Sequence, residues 1–409
     1  MNTGAHRGLY GQLRRFLLVL LLGVSFGGCR EDAEPPCAHS SRVVLVYIAG
    51  DNNLSGYVQG NLDDMVAGMA SAPQGTRTLV YMDLPGSNPR LAEVTASGLT
   101  TLHAWASPHN SVSAAVMGEV FSLTRQLAPA DRYGLVLWSH GLAWLPSSAD
   151  DYLVRLGARS EGLWPATKWF GQDTGETPVA YLDTAGLRTA VPEGMFDYIL
   201  FDACFMASAE VLYELRDKTK WIICSPAEVL ADGFPYDKIM PGLLSAEPDL
   251  RAVCETFYRR YAEDPRPEYR SAAVSLICTS ELEALAAVTA VVFSAALDAD
   301  PAVFSEMNLS QLQTVDRYRR HFLFDAGSVV DNLEQCGLVS APLAGAWWEQ
   351  LSRAVVWEAH TAYMLDLALR RCCGISLYVP YGGYPDLNEY YTTLGWFARC
   401  YPAGCFIAP

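Results

Sequence analysis

Short runs of consecutive apolar residues, each followed by turn residues, recur along most of the 409-residue chain. β-branched and aromatic residues dominate these runs without polar alternation, which is typical of strands buried on both faces of a sheet. The runs lie at residues 43–48, 78–82, 134–138, 198–201, 221–224, 273–277 and 375–379. This pattern therefore predicts a sheet with both faces covered by other elements of the fold.

Segments with helical periodicity separate the apolar runs. Residues 115–127 and 207–215 repeat apolar side chains at the spacing of one helix face. Residues 280–370 also have mostly helical periodicity, and we expect the adjacent pair Trp347 and Trp348 in the core. This alternation predicts an α/β fold: a mostly parallel sheet flanked by helices, with a helical C-terminal subdomain at about 280–370. Residues 145–180 are rich in Gly, Pro, Ser, Asp and Thr, and we expect a long excursion between two strands there.

The N-terminus has the features of an export signal. Arg14 and Arg15 precede an apolar run of about 11 residues, which is too short to cross a bilayer. Two glycines and Cys29 follow, an order that resembles a bacterial lipobox. We therefore predict a signal peptide at 1–28, lipidation of Cys29 and a tether at 29–41. The protein would then be an outer membrane lipoprotein facing the periplasm or the cell surface; an ordinary signal peptide is the alternative.

Charge and cysteine content exclude some functions. The formal net charge is −16, whereas nonspecific nucleic-acid binding needs a basic surface, so we expect no nucleic-acid partner. The chain has eleven cysteines, but no CxxC pair stands near a second Cys or His pair, and we predict no metal centre. An exported chain can form disulfides, and Cys400 and Cys405 are close enough in sequence to pair.

The candidate reactive residues follow two successive apolar runs. His140 follows the run at 134–138, and Cys204 follows the run at 198–201. Because carboxyl ends of parallel strands form the ligand crevice of such a sheet, we expect both side chains at one edge. A thiol needs a nearby base or cation to become a thiolate, and His140 could supply it. Considered alone, Cys204 could equally be an inert core residue, and His140 could be an ordinary turn residue.

Asp202 has a local interpretation of its own. An aspartate at this position could cap a helix that starts near Ala203. Cys204 would then lie in the first helical turn, where the helix dipole lowers the pKa of a thiol.

Four stretches resemble the clostripain family of cysteine peptidases in the caspase-like clan. They are VYIAGDNNL at 46–54, LWSHGLAW at 137–144, FDACFMAS at 201–208 and the stretch from Glu228 to Tyr236 that contains DGFPY. The resemblance extends over about residues 43–400. It implies a caspase-like fold and a peptidase domain at 42–400, followed by a tail at 401–409.

The resemblance implies a role for several residues. Cys204 matches the nucleophile and His140 the general base and acid, and the backbone N–H groups of Gly141 and Cys204 match the oxyanion donors. Asp202 matches the acidic residue at the base of the S1 pocket, and Asp232 matches a second acidic residue on the loop above it. The implied activity is cleavage of peptides or proteins after Arg or Lys, and a carboxylate suits these side chains.

The resemblance also implies features beyond the reaction itself. Some family members cut themselves between the His and Cys strands, where Arg155, Arg159 and Lys168 are the candidate sites here. No cofactor is expected to be required, and calcium is a further candidate because the family's type member depends on it. The oligomeric state does not follow from the sequence.

Two functions from other classes compete with the peptidase interpretation. The chain could be a catalytically silent surface lipoprotein that acts as a binding module, although it keeps both His140 and Cys204. It could also be an acyl-transfer enzyme that uses the same two residues.

Overall fold

The structure is a computed structural model that describes Met1 and residues 39–146, 165–168, 172–173 and 180–402. The chain divides into two units, Met1–Ala38 and His39–Pro409, and the second unit carries the sheet. The following predicted features lie outside the described residues: the signal peptide at 1–28 apart from Met1, the lipidation site Cys29, most of the tether, the self-cleavage candidates Arg155 and Arg159, and Cys405.

The described residues form fifteen strands. They are β1 (Ser40–Ala49), β2 (Thr76–Asp83), β3 (Arg90–Thr95), β4 (Gly98–Ala104), β5 (Ala130–Trp138), β6 (Gln172–Asp173), β7 (Ala180–Tyr181), β8 (Phe196–Asp202), β9 (Trp221–Cys224), β10 (Ala273–Cys278), β11 (Phe324–Asp325), β12 (Val355–His360), β13 (Tyr363–Met364), β14 (Leu367–Ala368) and β15 (Ser376–Leu377). Nine of them make one sheet in the order β12-β10-β9-β8-β5-β1-β2-β3-β4.

The five central strands of this sheet, β9, β8, β5, β1 and β2, run parallel to one another. Two antiparallel strands flank them on each side, β10 and β12 on one and β3 and β4 on the other. The apolar residues of β1 from Val43 to Ala49 are at most 2% exposed, as expected for a strand covered on both faces. The predicted α/β fold is therefore confirmed.

Helices cover the sheet. They are α1 (Ser55–Met69), α2 (Ala114–Leu127), α3 (Thr184–Ala190), α4 (Ala209–Glu214), α5 (Tyr236–Leu244), α6 (Leu250–Ala262), α7 (Leu282–Ala299), α8 (Ala326–Gln335), α9 (Ala341–Ala354), α10 (Pro385–Tyr391) and α11 (Gly395–Cys400). Helix α7, with the turn before it, is long and apolar enough to cross a membrane by length and composition. It packs against α9 and α11, and the indole of Trp347 donates to Thr289 Oγ1 at 2.9 Å.

Several elements differ from the predictions. Strand β1 begins at Ser40, inside the stretch predicted as a tether. Run 375–379 contributes only the short strand β15, which pairs with β11 outside the main sheet. The region 280–370 contains helices α7, α8 and α9, in line with its mostly helical periodicity. It also contains the short strands β11, β13 and β14, and strand β12, which joins the main sheet.

The helix after β8 starts later than predicted. It begins at Ala209, and Ser208 caps it by accepting a hydrogen bond from Val211 N. The expectation that Asp202 caps a helix near Ala203 was wrong, because Phe205 N and Ala207 N donate instead to carbonyl groups of residues 227 and 225. Cys204 therefore lies in a turn rather than in a helix.

The cysteines of the described residues are all free. They are Cys204, Cys224, Cys254, Cys278, Cys336, Cys372, Cys373 and Cys400. Most of them are buried, which is usual for a cysteine that packs as a small apolar residue.

Candidate active site

The candidate site lies where β1, β5 and β8 end. Trp138, the last residue of β5, stands opposite Asp202, the last residue of β8, in the parallel register. His140 and Cys204 each come two residues after this pair. The chain passes from β1 to β2 on one side and through β5, β8 and β9 on the other, so the site lies at a topological switch point, where open α/β sheets bind ligands.

The loop after β1 positions His140. Ser139 Oγ donates to Ala49 O at 2.7 Å, which fixes the residue before the histidine. Asn53 Oδ1 lies 2.5 Å from His140 Nε2. Because an amide oxygen can only accept, this contact selects the tautomer with hydrogen on Nε2 and the basic lone pair on Nδ1. Burial, followed by the charge of Lys168, holds the pKa of His140 well below its ordinary value.

A tight turn presents Cys204. Phe205 adopts a left-handed backbone conformation with φ of 60°, and its N–H donates to Ala227 O at 2.8 Å. A Cβ atom on Gly141 would lie 2.0 Å from Cys204 O, so only glycine permits this approach of the two backbones. The histidine and cysteine loops are thus in direct backbone contact.

The thiol of Cys204 is fully buried. Its Sγ accepts a hydrogen bond from Val229 N at 3.1 Å. Burial, reinforced by the negative charge of Glu228, holds the pKa of the thiol well above its ordinary value, although the Val229 contact opposes this shift. This arrangement therefore favours the thiol of Cys204 over the thiolate.

Residues 165–168 lie against the loop that follows β9. Lys168 N donates to Val229 O at 2.9 Å, and Ala231 N donates to Ala166 O at 2.8 Å. Thr167 pairs with Leu230 in an antiparallel bridge. This is the hydrogen-bond pattern of an extended peptide added to an existing chain edge.

The carbonyl group of Lys168 faces the cysteine turn. Cys204 N donates to Lys168 O at 3.2 Å, so the carbonyl oxygen lies on one of the two expected oxyanion donors. The carbonyl group of Lys168 is therefore next to the residue that carries the candidate nucleophile.

The side chain of Lys168 fills a buried pocket. Its Nζ lies 2.7 Å from Asp202 Oδ2, and both side chains are fully buried. The ammonium group also lies 4.5 Å from the centre of the Trp138 ring, within the range of a cation–π interaction. Burial lowers the pKa of Lys168, and the charge and hydrogen bond of Asp202 oppose this shift.

Neighbouring residues build the wall of this pocket. Tyr236 OH donates to Asp202 Oδ2 at 2.8 Å, which fixes the carboxylate. Gly233 has a φ of 70°, and a Cβ atom there would lie 2.4 Å from Lys168 Nζ. Asp232 is on the same loop, and its charge raises the pKa of Lys168 and so favours the ammonium form.

The structure brings together most of the residues selected from the sequence. His140, Gly141, Cys204 and Asp202 meet at the ends of β5 and β8, and the cleavage candidate Lys168 occupies the pocket. Sequence reasoning missed three contributors, Asn53, Trp138 and Gly233. Their positions in the sequence could have indicated them: Asn53 follows a strand, Trp138 ends one, and Gly233 lies in the DGFPY loop.

A group of possible metal ligands lies elsewhere in the described residues. One ligand atom from each of Glu358, His360 and Cys372 lies within 4.8 Å of the other two. Glu358 and His360 are on the edge strand β12, which β10 and β9 separate from β8 in the sheet. This group is thus not part of the site around Cys204.

Comparison with known proteins identifies the class. The chain is similar to an inactive zymogen C11 protease from Parabacteroides distasonis, with 31% identity and a TM-score of 0.75 over 89% of this chain and 99% of that one. It is also similar to a secreted C11 cysteine protease from Bacteroides thetaiotaomicron solved with an irreversible peptide inhibitor, with 29% identity and a TM-score of 0.72 over 88% and 99%. Both of these proteins are C11 proteases, and the second is named a cysteine protease.

A sequence model of the clostripain family matches residues 46–371. The chain therefore belongs to the clostripain family of cysteine proteases, as the sequence motifs predicted. None of the curated proteins compared with the chain matches it.

Proposed function

We propose that this protease is an endopeptidase that cleaves after Lys or Arg, with Cys204 as nucleophile and His140 as general base and acid. The observation that supports this most directly is the position of Lys168. Its ammonium group pairs with Asp202, and its carbonyl oxygen accepts from Cys204 N. The segment 165–168 is therefore bound as the acyl side of a substrate would be.

The proposed reaction uses the side chains and backbone of the site and one water molecule. His140 accepts the proton of Cys204, and the sulfur attacks the carbonyl carbon while Gly141 N and Cys204 N stabilise the oxyanion. The C–N bond breaks as His140 passes the proton to the leaving amine, and a thioester remains. His140 then takes a proton from water, whose oxygen attacks the thioester, and the thiol and a carboxylic acid are released.

We also propose that the intact chain is a zymogen that cuts itself after Lys168. The pocket already holds Lys168, so a peptide from outside can bind there only after this segment leaves. The similar Parabacteroides distasonis protease is described as an inactive zymogen. The pKa shifts of Cys204 and His140 fit this role, because both shifts favour the neutral form while the segment is in place.

Peptide hydrolysis tests the activity. The purified chain is incubated with fluorogenic peptides that differ only in the residue before the scissile bond. We expect cleavage after Lys and Arg, its loss in Cys204→Ala and His140→Ala, and a selective loss for basic residues in Asp202→Asn. Cleavage that persists in Cys204→Ala would exclude this cysteine as the nucleophile.

Identification of the new N-terminus tests self-cleavage. The wild-type chain should yield two fragments, the second starting at Trp169, whereas Cys204→Ala should stay intact. Lys168→Ala should lose this cut, because an alanine side chain cannot reach Asp202. A first cut at Arg155 or Arg159 instead would contradict the proposal.

The export and anchoring of the protein are also proposals. We infer that Cys29 carries a lipid that anchors the protease to a bacterial outer membrane, and the similar Bacteroides thetaiotaomicron protease is described as secreted. Cys29→Ser should release the protein from the membrane fraction. Membrane attachment that survives this substitution would contradict lipidation.

No cofactor has a part in the proposed reaction. We therefore expect the cleaved enzyme to keep its activity in a metal chelator. A loss that added calcium restores would assign a structural role to calcium, which Asp150 and Asp151, outside the described residues, are candidates to bind.

A further inference from the structure

The residue before Lys168 contacts a second buried carboxylate. Thr167 Oγ1 donates to Glu228 Oε1 at 3.2 Å. Glu228 is only 6% exposed. Thr167 has the position that the P2 residue of a substrate would take, because Lys168 next to it occupies the S1 pocket.

Arg317 holds Glu228 in place. Arg317 Nε donates to Glu228 Oε2 at 2.6 Å, and Arg317 Nη1 donates to Asp366 Oδ1 at 2.8 Å. Burial raises the pKa of Glu228, while the charge of Arg317 opposes this shift. One carboxylate oxygen is thus used by the guanidinium group, and the other accepts from the docked segment.

We propose that Glu228 forms an S2 subsite that selects a hydroxyl side chain, Thr or Ser, immediately before the basic residue. The inference rests on the proposed function and names part of its substrate class. A valine at P2 has the shape of threonine but brings no donor, so it would leave a buried carboxylate oxygen without a hydrogen bond. An acidic P2 residue would be repelled by the same carboxylate.

Two peptides that differ only in Thr or Val at P2 provide the first test. The full chain is first cut after Lys168, by itself or by brief trypsin treatment. We expect kcat/KM to be roughly tenfold higher for the Thr peptide in the wild type. Glu228→Met keeps the length of the side chain and removes the acceptor, and it should bring the two values within about twofold of each other. If Glu228→Met fails to fold, Glu228→Gln should show a reduced ratio.

Asp366→Asn is the matched control. This substitution neutralises the second carboxylate that contacts Arg317. Glu228 and its proposed contact with the P2 residue stay in place. The Thr/Val ratio should therefore stay near the wild-type value. Comparing two peptides on one enzyme also cancels any change in the reactivity of Cys204, whose pKa the charge of Glu228 raises.

Trypsin digestion provides a test that needs no activity of the chain itself. In Cys204→Ala, trypsin can cut after Lys168 only when the buried segment undocks, so the rate of that cut reports undocking. Thr167→Val should raise the rate several-fold when Glu228 is present. The same substitution should have no such effect in Glu228→Met, because the contact is already lost.

The two tests separate the subsite from the catalytic proposal. A Thr/Val ratio near one in the wild type, or a ratio that persists in Glu228→Met, would overturn the subsite. The trypsin test could show coupling between Thr167 and Glu228 while the enzyme hydrolyses none of the peptides. That result would support the subsite and overturn the proposed activity.

Discussion

At the scale of single residues, the site depends on positions where no larger side chain fits. Gly233 forms the pocket wall against Lys168 and Asp202, and Gly141 permits the backbone contact with Cys204. Neither requirement follows from residue type, because the atoms that a Cβ would meet come from distant parts of the sequence. The sequence motifs indicate these glycines, and the structure supplies the reason.

Gly233→Ala should reduce cleavage after lysine at least tenfold. The new methyl group would lie 2.4 Å from the ammonium group of a lysine side chain and 2.5 Å from Asp202 Oδ2. Gly86→Ala is the matched control, because Gly86 has a φ of 71° but nothing within 4 Å of its Cβ position. Comparing kcat/KM separates the blocked pocket from backbone strain; an equal loss in both variants would contradict the assigned role of Gly233.

Asn53→Ala should lower kcat roughly tenfold and leave KM for peptides nearly unchanged. The expected cause is loss of the hydrogen bond that selects the tautomer of His140. Asn53→Asp, which keeps an acceptor oxygen, should retain more activity than the alanine variant and shift the pH profile upward, since a carboxylate favours the imidazolium form. An unchanged kcat in Asn53→Ala would contradict this positioning role.

At the scale of elements, buried strands were readily predicted and edge elements were not. Strands β1, β5 and β8 are continuous apolar runs, so the sequence identified them and the residues that follow them. Strand β12 follows α9 directly, without a glycine or proline between them, and its pattern resembles a continuation of the helix. The start of α4 was misplaced because backbone contacts with residues 225 and 227 hold the cysteine turn open.

Helix α4 also carries a titratable group with a testable effect. Glu210 is buried and accepts from Tyr378 N at 2.9 Å and Tyr391 OH at 3.2 Å, and burial raises its pKa to about 7. Because the folded state binds the proton more tightly, the free energy of unfolding should fall as pH rises from about 4.5 to about 7. The loss is of the order of 3 kcal/mol.

Glu210→Gln should flatten this part of the stability profile. The amide keeps an acceptor oxygen for Tyr378 and Tyr391 but does not ionise. Denaturant unfolding of Cys204→Ala and of the double variant between pH 4.5 and pH 7 measures the difference. Identical slopes in the two proteins would show that Glu210 does not contribute to the dependence.

At the scale of the whole molecule, segment 165–168 could not be placed from the sequence. Its pocket is built from Trp138, Asp202 and the loop at Gly233, which come together only in the folded chain. Lys168 was one of three basic residues suggested as cleavage sites by the family resemblance. The sequence offered no physical criterion for choosing among them, since burial against Asp202 is a tertiary property.

Docking of this segment predicts a change in the reactivity of Cys204. Trp169→Pro should give an uncut chain with Lys168 in place, because the proline ring crowds the scissile bond and the residue before it. Lys168→Glu should release the segment, since its carboxylate would face Asp202. We expect iodoacetamide to label Cys204 at least tenfold faster in Lys168→Glu. Cys336, which is exposed, should react equally in both and serves as the internal standard.

The covalent connection of Lys168 to the chain has a consequence for inhibitor discovery. A tethered ligand competes at an effective concentration on the order of millimolar, so a compound aimed at the lysine pocket meets a resident competitor that dilution cannot remove. Screens against the uncut protein would therefore undervalue such compounds, and their ranking is best measured on enzyme already divided into two chains.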